Sequence, residues 1–239
     1  MKKRVRYVLR TSPKSEPHSP RRQSRKDLSK FSEIDELSRP QHCLLAEDDK
    51  CLYLREYVKG GGYQKSETNQ LIFNLKKSLD KKGTSQWPHK VKAIKQAAAE
   101  LKAATNPKWL EHACIVPIPP SKCSTDPLYD DRIVQVANLM TSGTGAVVVE
   151  LLSCKASRAP LHGQTATRNV AALAATFTVN RTLLPQVQGC RYIGILDDVL
   201  VAGTSYRAAH SVIRPHCPQQ QIIGFFVARR IDEDDEIEF

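Results

Sequence analysis

Apolar positions along this chain fall into two rhythms, short continuous runs and helical spacings, and the two alternate through its second half. The early segments come first. Val5–Leu9 reads as an edge strand and Asp27–Leu37 as one short helix. Cys51–Val58, rich in aromatic and aliphatic residues, predicts a strand that the flexible Gly60-Gly61-Gly62 turn ends. Ser66 caps a helix whose apolar face is Leu71, Ile72, Leu75 and Leu79, with Lys76 and Lys77 on or beside that face and Gly83 as its stop. A second helix follows Trp87-Pro88, with Val91, Ile94, Ala98 and Leu101 inward, and Asn106-Pro107 closes it.

From Trp109 onward the pattern is strand, helix, strand, the signature of a parallel sheet covered by helices. Ala113–Ile118 is a strand ending in the stiff turn Pro119-Pro120-Ser121-Lys122. Asp126-Pro127 caps a helix with Ile133, Val136, Ala137 and Met140 on one side. Gly145–Leu152 is the next strand, and a polar loop runs from Ser153 to about Gln164. A helix over Thr167–Ala175 and a short strand over Thr176–Asn180 follow. Tyr192–Leu196 is a strand that meets two carboxylates, Asp197 and Asp198. The small-residue segment Val199–Ser205 then leads into an amphipathic helix that stops at Pro215. Gln221–Ile231 is the last strand. The expected class is α/β, a mainly parallel twisted sheet flanked by helices. A basic arm over residues 1–40 and a front section over 43–107 precede a core over 109–231, and residues 232–239 form an acidic tail.

Composition adds constraints. With 239 residues the chain holds one sizeable α/β domain plus appendages. No apolar run reaches membrane-spanning length and no signal-peptide core is present, which predicts a soluble cytoplasmic protein with no membrane partner. Seven cysteines at irregular spacing, without a CxxC pair, predict reduced thiols; a zinc site on Cys43, Cys51 and a histidine is the weaker alternative. The net charge of +11 is uneven: residues 1–30 hold 11 Lys/Arg against 2 Asp/Glu, and residues 232–239 hold six acids and no base. Such an arm either contacts DNA or RNA phosphates or is a solvated terminus.

Parallel sheets bind ligands at the carboxyl ends of their strands. Three loops belong there: Pro119–Lys122, Ser153–Arg168 and Asp197–Ser205. With the helix that follows the first, they bring Lys122, Arg132, Arg158, His162 and Arg168 toward Asp197 and Asp198, cations around two carboxylates, which suits a polyanion on a sugar. Arg132, in DPLYDDR, equally suits a pair with Asp130 or Asp131, and His162 reads as an ordinary loop histidine. A strand, an acidic pair and a glycine turn into a helix form the outline of a phosphate-sugar site, because a helix N-terminus presents free N–H groups and positive dipole to an anion.

Four segments carry a family resemblance. ILDDVLVAGTSYRAA resembles the phosphoribosyl-pyrophosphate loop of the type I phosphoribosyltransferases, and IVPIPPSK resembles their pyrophosphate turn. KASRAPLHGQTATRNVAAL and LREYVKGGGYQKSETNQLIFNLKKS resemble the flexible loop and lead-in of the ComF-like branch. Together they cover roughly residues 50–231 in the family's order. The resemblance implies the type I phosphoribosyltransferase fold and a site for phosphoribosyl pyrophosphate with Mg²⁺. It places the 5′-phosphate on the backbone of Val201, Ala202, Gly203, Thr204 and Ser205. The ribose lies on Asp197 and Asp198, the catalytic pair, and pyrophosphate on Pro120, Ser121, Lys122 and Arg158 or Arg168. Mg²⁺ is then held through the ligand and waters rather than by direct protein ligands. The family's usual two threonines are Val201 and Ala202 here, which keeps backbone donors and loses hydroxyls. The branch's leading CxxC ligands are absent, so zinc is not expected. The implied functions are glycosyl transfer with release of pyrophosphate or, alternatively, a non-catalytic sensor of a phosphoribosyl ligand. The sensor would contact nucleic acid, a protein partner or a second copy, in DNA uptake or bacterial defence such as retron operons.

Overall fold

Consecutive buried strands need their backbone groups paired, and the long apolar runs of this chain pair with one another. The computed structural model describes residues 27–158 and 169–232. The expected strand Val5–Leu9 and most of the basic arm, His162, Arg168 and the tail beyond Asp232 lie outside them. The strands are β1 (Ser32–Glu33), β2 (Cys51–Val58), β3 (Ala113–Pro117), β4 (Val147–Val148), β5 (Leu152–Cys154), β6 (Phe177–Val179), β7 (Tyr192–Leu200) and β8 (Gln221–Ile231). Six form one sheet in the order β1-β2-β8-β7-β3-β4; β1 is antiparallel to β2, and the other pairs are parallel. β5 and β6 form a separate antiparallel pair. The molecule is therefore α/β with a mostly parallel sheet.

The helices are α1 (Glu67–Leu75), α2 (Trp87–Ala104), α3 (Pro107–Leu110), α4 (Arg132–Thr141), α5 (Val170–Ala175), α6 (Leu184–Gln188) and α7 (Thr204–Ile213). Alternation along each strand sends neighbouring residues to opposite faces. Cys114 and Val116 of β3 pack with α5, α6 and α7, whereas Ile115 packs with α1, α2 and α4. β2 belongs to the same sheet as the later strands, and buried Asn69 ties α1 to its end. The Asn69 amide accepts from Val58 N at 3.1 Å and donates to the oxygens of Val58 and Gly62 at 3.0 and 2.9 Å. Ser66 caps α1 as expected, accepting from Asn69 N at 3.0 Å. Among the described residues no helix is long and apolar enough to cross a membrane.

Several boundaries differ from the pattern, each for a local reason. Asp27–Leu37 is not a helix. Asp27 takes the N–H and hydroxyl of Ser29, Ser38 and Asp35 bond reciprocally, and Phe31 packs edge-on to Phe225 at 5.3 Å, so the segment is spent on turns and on β1. α1 ends at Leu75, which leaves Leu79 and Gly83 in and after a separate 3-10 turn. On α2 the inward position is Lys90 rather than Val91, which is exposed. Asp126 does not cap α4. It accepts from Leu128 N and from the Ser157 hydroxyl, and the helix starts at Arg132, whose N–H bonds Asp130. The expected strand Gly145–Leu152 divides in two, because a tight bond from Leu151 N to Val149 O turns the chain after β4 and hands Leu152 to β5. β5 also takes Ser153 and Cys154 from the expected loop. β7 continues through both carboxylates to Leu200, since β8 is long enough to pair with Val199 and Leu200.

Candidate functional site at the carboxyl ends of β3 and β7

β3 and β7 lie side by side in parallel register, with Pro117 opposite Leu196 and Ile118 N donating to Leu196 O at 2.9 Å. The Pro119–Lys122 turn thus emerges next to the Asp197-Asp198 step. Because both acids are on a strand, they project to opposite faces. Asp198 enters the α1/α4 side, where Lys76 Nζ lies 3.0 Å from Oδ1. Arg132 Nε and Nη2 donate to Oδ2 at 3.1 and 2.6 Å. The Asp198 side chain is 5% exposed. The network continues: Arg132 Nη1 donates to Asp130 Oδ2 at 2.8 Å, and Lys90 Nζ donates to the same oxygen at 2.8 Å and to the oxygens of Leu75 and Lys77. Lys90 is 1% exposed, and burial lowers its pKa against the pull of Asp130.

The two acids consequently titrate in opposite directions. Burial opposes the charge of Asp198, but Lys76 and Arg132 outweigh it and hold the carboxyl well below the usual range. Burial pushes Asp197 up, the neighbouring Asp198 charge adds to this, and its pKa reaches about 7. Asp197 is half-buried, and its Oδ1 accepts the Asp198 N–H at 2.8 Å.

After Leu200 the chain turns through Val201, Ala202 and Gly203 into α7. Gly203 has φ +95°, a left-handed conformation natural to glycine, and no side chain caps the helix. A Cβ there would lie 2.7 Å from Leu45 Cδ2. The first backbone bond of α7 runs from Arg207 N to Gly203 O, so the N–H groups of the first turn have no partner within the helix. Val201 and Ser205 are half-buried; Ala202, Gly203 and Thr204 are buried.

The residues expected to hold pyrophosphate partly converge. Arg158 N donates to Ser121 O at 2.8 Å, and Cys154 Sγ donates to Pro120 O at 3.0 Å, so the turn after β3 and the segment after β5 are joined. Lys122 Nζ lies 3.4 Å from Asp126 Oδ2. Arg158 Nε is buried without a hydrogen-bond partner among the described residues. Arg132 makes both the expected local pair, to Asp130, and a contact that sequence reasoning missed, to Asp198. Lys76 was visible only as a residue beside the α1 face. His42, whose Nδ1 bonds Val201 O, was not singled out at all, because nothing local ties it to a loop 159 residues away.

A magnesium ion carried on substrate phosphates needs one or two carboxylates and otherwise keeps its waters. Asp197, near the carboxyl end of β7, is one acid of that kind, and the described residues contain no cluster of three or more His, Cys, Asp or Glu that could hold a metal ion by itself. Compared with known proteins, the chain matches no family model and no curated protein.

Proposed function

We propose that the carboxyl ends of β3 and β7 bind a 5-phosphoribosyl ligand, phosphoribosyl pyrophosphate with Mg²⁺, on a type I phosphoribosyltransferase fold. The observation that supports this most is the run of β7 through Asp197 and Asp198 into a left-handed Gly203 and an uncapped helix start. That arrangement sets sugar-hydroxyl acceptors one turn away from phosphate donors. In this reading the N–H groups of Ala202 to Ser205 hold the 5′-phosphate, with Val201 shaping the turn. Asp197 accepts from the ribose hydroxyls. Ser121, Lys122 and Arg158, joined through the turn after β3, take the pyrophosphate end; Arg168, the alternative to Arg158, lies outside the described residues. Mg²⁺, when bound, neutralises pyrophosphate oxygens. Asp198 stays ionised, and its charge is taken up by Lys76 and Arg132, which it holds beside the end of β7.

One observation favours a second reading. Both oxygens of Asp198 are engaged by Lys76 and Arg132, and the loop lacks hydroxyls at Val201 and Ala202, which suits a sensor that binds the ligand without turning it over. Mixing the full chain with labelled phosphoribosyl pyrophosphate and Mg²⁺, with and without bases, separates the two. Pyrophosphate release supports the transferase, binding alone supports the sensor, and neither removes the site. Deleting residues 1–30 tests the arm: weaker DNA or RNA binding with a shallower salt dependence is the expected result, and unchanged binding discards it as a nucleic-acid contact.

A further inference from the structure

The segment between β1 and β2 grips the back of the turn before α7. Leu44 N donates to Ala202 O at 3.0 Å, and His42 Nδ1 bonds Val201 O. Leu45 packs where a Gly203 side chain would stand, and Asp49, 2% exposed, pairs with Arg207 of α7 at 2.8 Å. The grip is itself braced: Arg39 Nη1 donates to Ala46 O at 2.6 Å, Ala46 N to Asp49 Oδ2 at 2.7 Å, and Arg229 Nη1 to Gln41 Oε1 at 3.0 Å.

Two of these contacts take carbonyl oxygens of consecutive peptides, and a trans peptide directs its N–H opposite to its C=O. Holding Val201 C=O from behind turns Ala202 N–H away from the grip. Holding Ala202 C=O does the same to Gly203 N–H. Both donors then face away from residues 42–45, on the side left open to a ligand. We propose that His42 is a positioning residue for a phosphate monoester: its Nδ1–H fixes the Val201 carbonyl and so aims the Ala202 and Gly203 N–H groups at the phosphate.

The chemistry of His42 agrees with this role. It is fully buried, and burial, with Arg229, Arg230 and Arg39 nearby, pushes its pKa down to about 4, so the ring is neutral. A carbonyl accepts only from a protonated nitrogen, which selects the Nδ1–H tautomer. Nε2 has no hydrogen-bond partner among the described residues, so the Nδ1 side carries the function. Asparagine, whose side-chain N–H reaches about where Nδ1 stands, keeps that donor, and leucine removes it.

The choice of phosphate rests on the proposed function; the aiming of the turn does not. Backbone amide exchange over residues 201–206 is compared in the full chain, His42→Leu and His42→Asn, together with titration of ribose 5-phosphate. The leucine variant is expected to raise exchange across the turn and to weaken ribose 5-phosphate about tenfold, the effect of one unmade bond to a buried carbonyl. The asparagine variant is expected to restore both to within about threefold. Unchanged exchange in the leucine variant, or an asparagine variant no better than leucine, overturns the proposal. If the native chain does not bind ribose 5-phosphate while the exchange pattern holds, the phosphate reading falls and the aiming role remains. Should the leucine variant not fold, the nitrogen-15 shifts of native His42 decide: a protonated Nδ1 supports the role, and a protonated Nε2 overturns it.

Discussion

Alternation along β7 gives Asp197 and Asp198 separate environments, and the separation sets what each substitution does. Asp198→Asn takes from Lys76 and Arg132 the buried carboxylate that they share. The expected cost is about 3 kcal/mol, read as a lower urea midpoint, because the buried charge pairs to that carboxylate are broken. Loss of ligand in that variant is therefore a poor test of the site, and Asp197 is the better one. The pH dependence has opposite signs for the two. Asp197 keeps its proton in the folded state up to about pH 7, above its ordinary 3.8, so its contribution is fullest below 3.8 and is lost as pH rises toward 7. Asp198 is held below 3.8, so its contribution is present above that value and lost in acid. Asp197→Asn is expected to flatten the decline between about pH 4 and pH 7 in thermal melts; a decline as steep as in the native chain contradicts the raised pKa. The acidic pair was legible in the sequence as a pair. Its partners were not, since Arg132 and Lys76 stand 66 and 122 residues before Asp198, and only folding joins them.

Elements were legible where one long-range force dominates. β2, β3 and β8 lie within two residues of the apolar runs that mark them, and Ser66 caps α1 through the expected bond. Elements were misread where short polar side chains compete locally. Asp27 and Ser38 replace a helix with turns, Asp126 spends its carboxylate on Leu128 and Ser157, and a tight turn at Glu150 splits one strand into β4 and β5. Lys90 misled in another way: a lysine at an inward position looks like a phase error until three acceptors, Leu75 O, Lys77 O and Asp130, account for its ammonium. Lys90→Met is expected to lower stability by about 3 kcal/mol in denaturant unfolding by leaving those acceptors unpaired. In the turn after β7, Gly203→Ala must adopt a positive φ and meet Leu45. A loss of about 2 kcal/mol in denaturant unfolding, with weaker ribose 5-phosphate binding, is expected. A fully stable alanine variant contradicts the tight fit of the turn against residues 42–45.

At the scale of the whole molecule, the mostly parallel sheet brings the carboxyl ends of β3 and β7 together, and the segment before β2 reaches across to brace the turn after β7. The alternating pattern from Trp109 onward made the parallel sheet legible. The grip of His42, Leu44 and Asp49 on the turn and on α7 was not, because its residues follow no periodicity and read as loop. The central claim is the proposal that the carboxyl ends of β3 and β7 hold a phosphoribosyl ligand through Asp197 and the turn before α7. Calorimetric titration of the full chain with phosphoribosyl pyrophosphate and Mg²⁺, native against Asp197→Asn, tests it most directly. The account predicts saturable binding by the native chain and about tenfold or greater weakening in the variant, with its melting transition retained. No binding by the native chain, or equal affinity in the variant, contradicts it.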